Sequence, residues 1–141
     1  MWDLLAVAFT QNGATAVLPR HPRAAAQARR VLDRAVTGPD APTEAAALLL
    51  SELIANAVRH ASGPLVLVAI VHDEAEDCLV GAVFDGDPEL HCGIRCGERH
   101  PEDLESGRGL DLLDTLAGAW GVAPLGEHGK WVWFRLYGTA A

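Results

Sequence analysis

Four polar side chains interrupt an otherwise apolar stretch, and their spacing is that of one helix face. Glu52, Asn56 and His60 stand at i, i+4 and i+8, with Arg59 at i+7, in and just after the apolar run Ala45–Val58. At about 100° per residue all four fall on one stripe of a helix. A carboxylate and a carboxamide one turn apart on a buried helix are expensive unless something polar meets them. One reading is a satisfied core network or a solvated stripe. The other is a site, in which oxygen ligands hold a hard cation or a water and Glu52 acts as a base.

Two more groups carry chemistry. Ser106-Gly107-Arg108-Gly109-Leu110 stands at the mouth of a helical pattern. Its glycines let backbone amides approach a ligand closely, and a helix N-terminus adds unpaired N–H groups that suit a phosphate. Alone, G-x-G is weak, and a plain loop-to-helix junction accounts for it equally well. Asp85-Gly86-Asp87 follows an apolar run. It reads as an ordinary β-turn or as a carboxylate at a strand end, able to accept a hydrogen bond from an exocyclic amine. His91, Cys92, Cys96 and His100 offer soft zinc ligands, but C-x-x-x-C is not a strong finger pattern. Incidental cysteines in a loop are the simpler reading.

The elements that must position these groups follow from periodicity. Leu4–Phe9 and Ala14–Leu18 flank Thr10-Gln11-Asn12-Gly13, where Asn-Gly predicts a hairpin turn with positive φ angles. Pro22–Val36 places Ala24, Ala28, Val31, Leu32 and Ala35 on one helical face, and Gly38–Pro42 breaks the chain. A second helix, buried nearly all round, is expected from Thr43 to His60 or Ala61. Leu65–Val71 and Cys78–Phe84 are continuous apolar runs, which predict an antiparallel pair buried on both faces. Residues 86–108 show neither period and read as a lid or binding loop. Leu110–Trp120 returns to helical spacing, and Lys130–Leu136 closes as a strand after a Gly126–Gly129 turn. Trp120, Trp131 and Trp133 are expected as core or half-buried residues. The fold class is α+β: a two-layer sandwich, with helices on one face of a mixed, mostly antiparallel sheet.

Composition limits the partners. The 141 residues are 50% hydrophobic and suit a single domain with its own core. Eleven Lys and Arg against 19 Asp and Glu give a net charge of −8. That balance repels phosphate backbones and anionic lipid, so no nucleic-acid or membrane role is expected, whereas one nucleotide needs only local donors. An odd set of cysteines, an acid within the first residues and no bilayer-length apolar run predict a soluble, cytoplasmic protein.

Taken in order, S-E-L-I-A-N-A-V-R-H-A (Ser51–Ala61), V-F-D-G-D (Val83–Asp87), G-R-G-L-D-L-L (Gly107–Leu113), W-G-V and the final G-K-W-V-W-F strand form a recognisable series. It resembles the GHKL, or Bergerat-type, ATPase fold shared by gyrase B, sensor histidine kinases and the MutL mismatch-repair protein. Within it the series is similar to small stand-alone anti-sigma-factor serine kinases, especially short actinobacterial ATP-binding regulators. The resemblance runs from about Leu18 to Leu136.

What the resemblance implies is specific. Asn56 matches the asparagine that binds magnesium and bridges it to the ATP phosphates, and Glu52 matches the general base. Asp85 matches the aspartate that reads the adenine amino group. Gly107, Gly109 and the adjoining Leu110 match the second glycine box around the phosphates, with Arg59 and Arg108 flanking as phosphate contacts; His60 is a packing residue. The implied cofactors are ATP and Mg²⁺. The implied activity is phosphorylation of a serine or threonine on an anti-sigma antagonist protein, with a sigma factor as alternating partner and a homodimer as the assembly. The rival is a non-catalytic module that sequesters a partner through a degenerate nucleotide pocket. Three departures stand out: Asp87-Pro88 follows Gly86 in the aspartate box, Trp131 follows Gly-Lys where relatives carry a small hydroxyl residue near the adenine pocket, and the N-terminal hairpin is long, an element available for dimerisation.

Overall fold

The computed structural model describes residues 6–37, 41–60, 63–87, 113 and 115–138. Strands β1 (Ala6–Phe9) and β2 (Gly13–Pro19) lead into helices α1 (Ala24–Ala35) and α2 (Thr43–His60). Strands β3 (Leu65–Asp73), β4 (Cys78–Asp85), β5 (Ala119–Pro124) and β6 (Lys130–Tyr137) follow. They form one six-stranded sheet in the order β1-β2-β3-β4-β6-β5. An α+β architecture, compatible with two layers, is therefore present. All five pairings are antiparallel, which corrects the expected mixed sheet. Tight connections join β1 to β2, β3 to β4 and β5 to β6, while the α1–α2 pair returns the chain beside β2 in the opposite sense.

Strand parity decides which residues the helices cover. Ala14, Ala16 and Leu18 of β2 and Val66, Val68 and Ile70 of β3 are buried. Leu79 and Val83 of β4 and Val132, Phe134 and Leu136 of β6 continue that face, in register as Val83↔Val132 and Leu79↔Leu136. Against it α2 sets Ala46, Leu49, Leu50, Leu53, Ile54 and Ala57, while Leu48 on its far side stays 43% exposed. The expected all-round burial of α2 thus holds for one broad face only. No helix among the described residues is long and apolar enough to cross a membrane.

Three local expectations need correction. Neither Asn12 nor Gly13 has a positive φ. The connection is closed by the Thr10 N–H donating to the Gly13 carbonyl at 2.8 Å, and Gly13 is needed because a Cβ there would strike the Ile70 carbonyl. The helix expected to Trp120 stops earlier: Leu113, Thr115 and Leu116 are helical, but Ala119 and Trp120 already belong to β5. The Gly118 N–H donates to Arg135 O at 2.8 Å, so pairing with β6 takes over from helical bonding at that point. Finally, the expected burial of both faces of the β3–β4 pair holds for the helix-facing side, whereas Leu65 and Val71 on the other side are 40% and 47% exposed.

Gln27 of α1 is 6% exposed, and neither its Oε1 nor its Nε2 has a hydrogen-bond partner among the described residues. A buried unsatisfied amide costs about 1–3 kcal/mol, and an apolar group of the same shape avoids that cost. Gln27→Met is therefore expected to stabilise the protein by about 1–2 kcal/mol in urea unfolding. A loss of stability instead would mean that the carboxamide is satisfied by a residue outside the described set.

Candidate functional site

The C-terminal half of α2 and the end of β4 come to the same end of the sheet. Residues 61–64 span only a short link between His60 and Leu65, and Leu67 of β3 is paired with Phe84 of β4. The start of β3, and with it the end of α2, therefore lies beside Asp85. Arg20 secures this corner: its Nη1 donates to Val58 O at 2.9 Å and its Nε to Gly63 O. These bonds satisfy a carbonyl in the last turn of α2, where intrahelical donors run out.

Glu52 and Asn56 are both half-buried on the stripe, Arg59 is exposed and His60 is half-buried. Arg59 Nη1 reaches Asn56 Oδ1 at 3.5 Å, a long contact at the edge of hydrogen-bond geometry. Asn56 Oδ1, the atom matched to magnesium, thus has a weakly held cation beside it. No group of three or more His, Cys, Asp or Glu side chains gathers among the described residues. Mg²⁺ does not require one, because it is usually held by one or two protein oxygens and completed by phosphate and water. Asn56 Oδ1 is one oxygen donor of that kind.

Asp85 is buried at 7% exposure, and the reason is parity: it shares the helix-facing side of β4 with Leu79, Gly81 and Val83. Directly across β6 lies Lys130, 4% exposed, paired with it in register. Lys130 Nζ donates to Asp85 Oδ1 at 2.9 Å and to Asp87 O at 2.7 Å, and the Asp87 N–H also donates to Asp85 Oδ1 at 2.9 Å. The preceding Gly129 has φ +126°, and a Cβ there would meet the Asp85 carbonyl, so only glycine lets the chains close at this corner. The carboxylate matched to adenine is therefore a buried ion pair, with Oδ1 already accepting two hydrogen bonds.

Lys130 is the residue that the sequence reading overlooked as part of the site. Its signal was present: counting by twos along Lys130–Leu136 places it on the same face as Val132, Phe134 and Leu136. The same count places Trp131 on the other face of β6. Trp131 is on the opposite face, paired in register with Phe84, with ring centroids 5.5 Å apart. It therefore lies on the face away from Asp85, and the expected half-burial of Trp120, Trp131 and Trp133 agrees with the structure.

Gly107, Arg108, Gly109 and Leu110 lie outside the described residues, as do Pro88, His91, Cys92, Cys96 and His100. Cys78 is buried and free, and burial pushes its thiol above the ordinary range, partly opposed by Arg135. No family model matches the chain, and no curated protein matches it.

Proposed function

We propose that the chain is an ATP-binding regulator of the anti-sigma-factor kinase type, which transfers the γ-phosphoryl of ATP to a serine or threonine of an antagonist protein. The observation that supports it most is one arrangement. A half-buried Glu52 and Asn56, one turn apart on α2, share a sheet end with the buried carboxylate Asp85. In this reading Glu52 takes the proton of the attacking hydroxyl, the hydroxyl oxygen bonds to the γ-phosphorus, and the bond to the bridging oxygen breaks to release ADP. Bound Mg²⁺ supplies charge neutralisation and orientation of the phosphates, and Asn56 is the residue to hold it. Arg59, exposed and only 3.5 Å from Asn56 Oδ1, contacts phosphate in this reading. Asp85 accepts the adenine amine through Oδ2, and the Gly107–Gly109 amides are the expected phosphate cradle. A sigma factor is the alternating partner.

A second reading, a sequestering module with a degenerate pocket, is favoured by one specific observation. Lys130 and the Asp87 N–H already satisfy Asp85 Oδ1, which leaves less acceptor capacity for adenine. Incubation with labelled ATP and antagonist proteins from the same genome separates the two, since only the kinase transfers label.

The binding half of the proposal has its own test. Asn56→Ala removes a charge-assisted contact worth about 1.5–3 kcal/mol, so Mg-ATP affinity is expected to fall roughly 10- to 150-fold. Calorimetry showing unchanged affinity in the folded variant would remove Asn56 as the metal ligand.

A further inference from the structure

We infer that the trough between edge strand β1 and helix α1 is a docking surface for an acidic amphipathic helix of a partner protein. The inference stands on β1 and α1 alone and is independent of the nucleotide reading. α1 packs on β2 and β3, and α2 on β3, β4 and β6. β1 lies one strand beyond β2, at the edge of the sheet. Val7 pairs with Ala16 and Phe9 with Ala14, both buried under the helices, so Val7 and Phe9 stand on the helix side. They are nevertheless 37% and 40% exposed. All of Ala6–Phe9 is apolar and exposed, without the charge or proline that usually blunts an edge strand.

The wall beside this apolar floor is basic. Five of the eleven Lys and Arg residues fall within residues 20–34, where Asp33 is the one acid, although the whole chain carries a net −8. Arg23, Arg30 and Arg34 stand at i, i+7 and i+11, within about 40° of one another round the helix. All three are exposed. The Arg34 guanidinium lies over the Phe9 ring, 4.7 Å from its centroid, which fixes this flank of α1 as the one overlooking β1. Arg29, also exposed, falls about 100° from Arg30 and outside the stripe.

Charge and spacing select the occupant. Packed helices lie about 8–10 Å apart, roughly two strand spacings, so a helix laid beside α1 rests over β1 and the sheet edge. Its apolar stripe meets Val7 and Phe9, and carboxylates along its flank meet the arginines. A basic helix is repelled by the same wall. The chain's own residues 1–5 offer one acid, Asp3, and fall short of two helical turns. Residues 88–112 run between the end of β4 and the approach to β5, on the other half of the sheet.

Fluorescence anisotropy of the full chain tests the inference with a labelled helical peptide of about 18 residues, leucines on one stripe and glutamates on both flanks. Saturable binding is expected, weakened at least ~10-fold between about 20 and 300 mM NaCl because exposed charges are screened. Arg30→Glu and Arg34→Glu are each expected to weaken it at least ~10-fold, and Phe9→Ala at least ~5-fold, with far-UV circular dichroism unchanged. Arg29→Glu makes the same charge change outside the trough and is expected to alter affinity less than ~2-fold. All four side chains are exposed, so the variants guard one another against a folding failure. Absence of binding, including a trough already filled by the chain itself, would overturn the inference. So would equal binding of a peptide with lysine for glutamate, or equal losses from Arg29→Glu and Arg30→Glu. Self-association in sedimentation velocity that Arg30→Glu abolishes would assign the trough to a second copy and overturn it too.

Discussion

Under the proposed function, Glu52→Gln is expected to slow phosphoryl transfer by about 10²–10⁴-fold while Mg-ATP stays bound. The amide keeps the length and hydrogen-bonding reach of the carboxylate but cannot accept the hydroxyl proton. Glutamine and glutamate have nearly equal helix propensity, so α2 is unaffected and lost turnover cannot be traced to unfolding. Half-burial of Glu52 one turn before Asn56 is what makes the effect local. Single-turnover transfer from labelled ATP to an antagonist protein reads the rate, and calorimetry reads binding. An equally active glutamine variant would remove Glu52 as the base.

Lys130→Met carries the largest expected effect on stability, a loss of about 3–5 kcal/mol. The Lys130 and Asp85 side chains are 5% and 10% exposed, so removing the ammonium leaves a carboxylate buried without its counter-charge. It also takes the donor from Asp87 O. With typical domain stability of about 5–15 kcal/mol, a loss of that size approaches unfolding. The double variant Lys130→Met/Asp85→Leu is expected to recover most of it, because a buried pair replaced by apolar groups is often near neutral. Urea unfolding of both variants checks this. A single variant losing under about 1 kcal/mol would mean the pair is hydrated and the corner open.

Much of the architecture could be read from periodicity. α2 begins and ends at Thr43 and His60 as expected, and β3 and β4 extend the expected runs by one or two residues. These elements have long, strong patterns set by the burial of one face. The stripe from Glu52 to His60 was legible for the same reason: on a known helix, spacing alone fixes azimuth. β5 was missed because Ala119–Pro124 is short, apolar and contiguous with a helical pattern, so its period gives no warning of the change. Its strand character comes from register with β6, a contact that sequence does not display.

By itself the sequence determined which residues could do chemistry together on one element: Glu52, Asn56 and Arg59, in one stripe on one helix. It also determined the α+β class, through the alternation of 3.6-residue and continuous apolar patterns. Only the tertiary structure decided what meets those residues from elsewhere in the chain. It brought Lys130 to Asp85 across 45 positions and turned Trp131 to the opposite face. It also left the apolar side of β3 and β4 uncovered by either helix. The physical reason is the range of the forces involved. Local spacing sets the direction of a side chain within its element, whereas a buried ion pair or an uncovered face depends on strand register and layer packing, which are settled by contacts between segments distant in sequence.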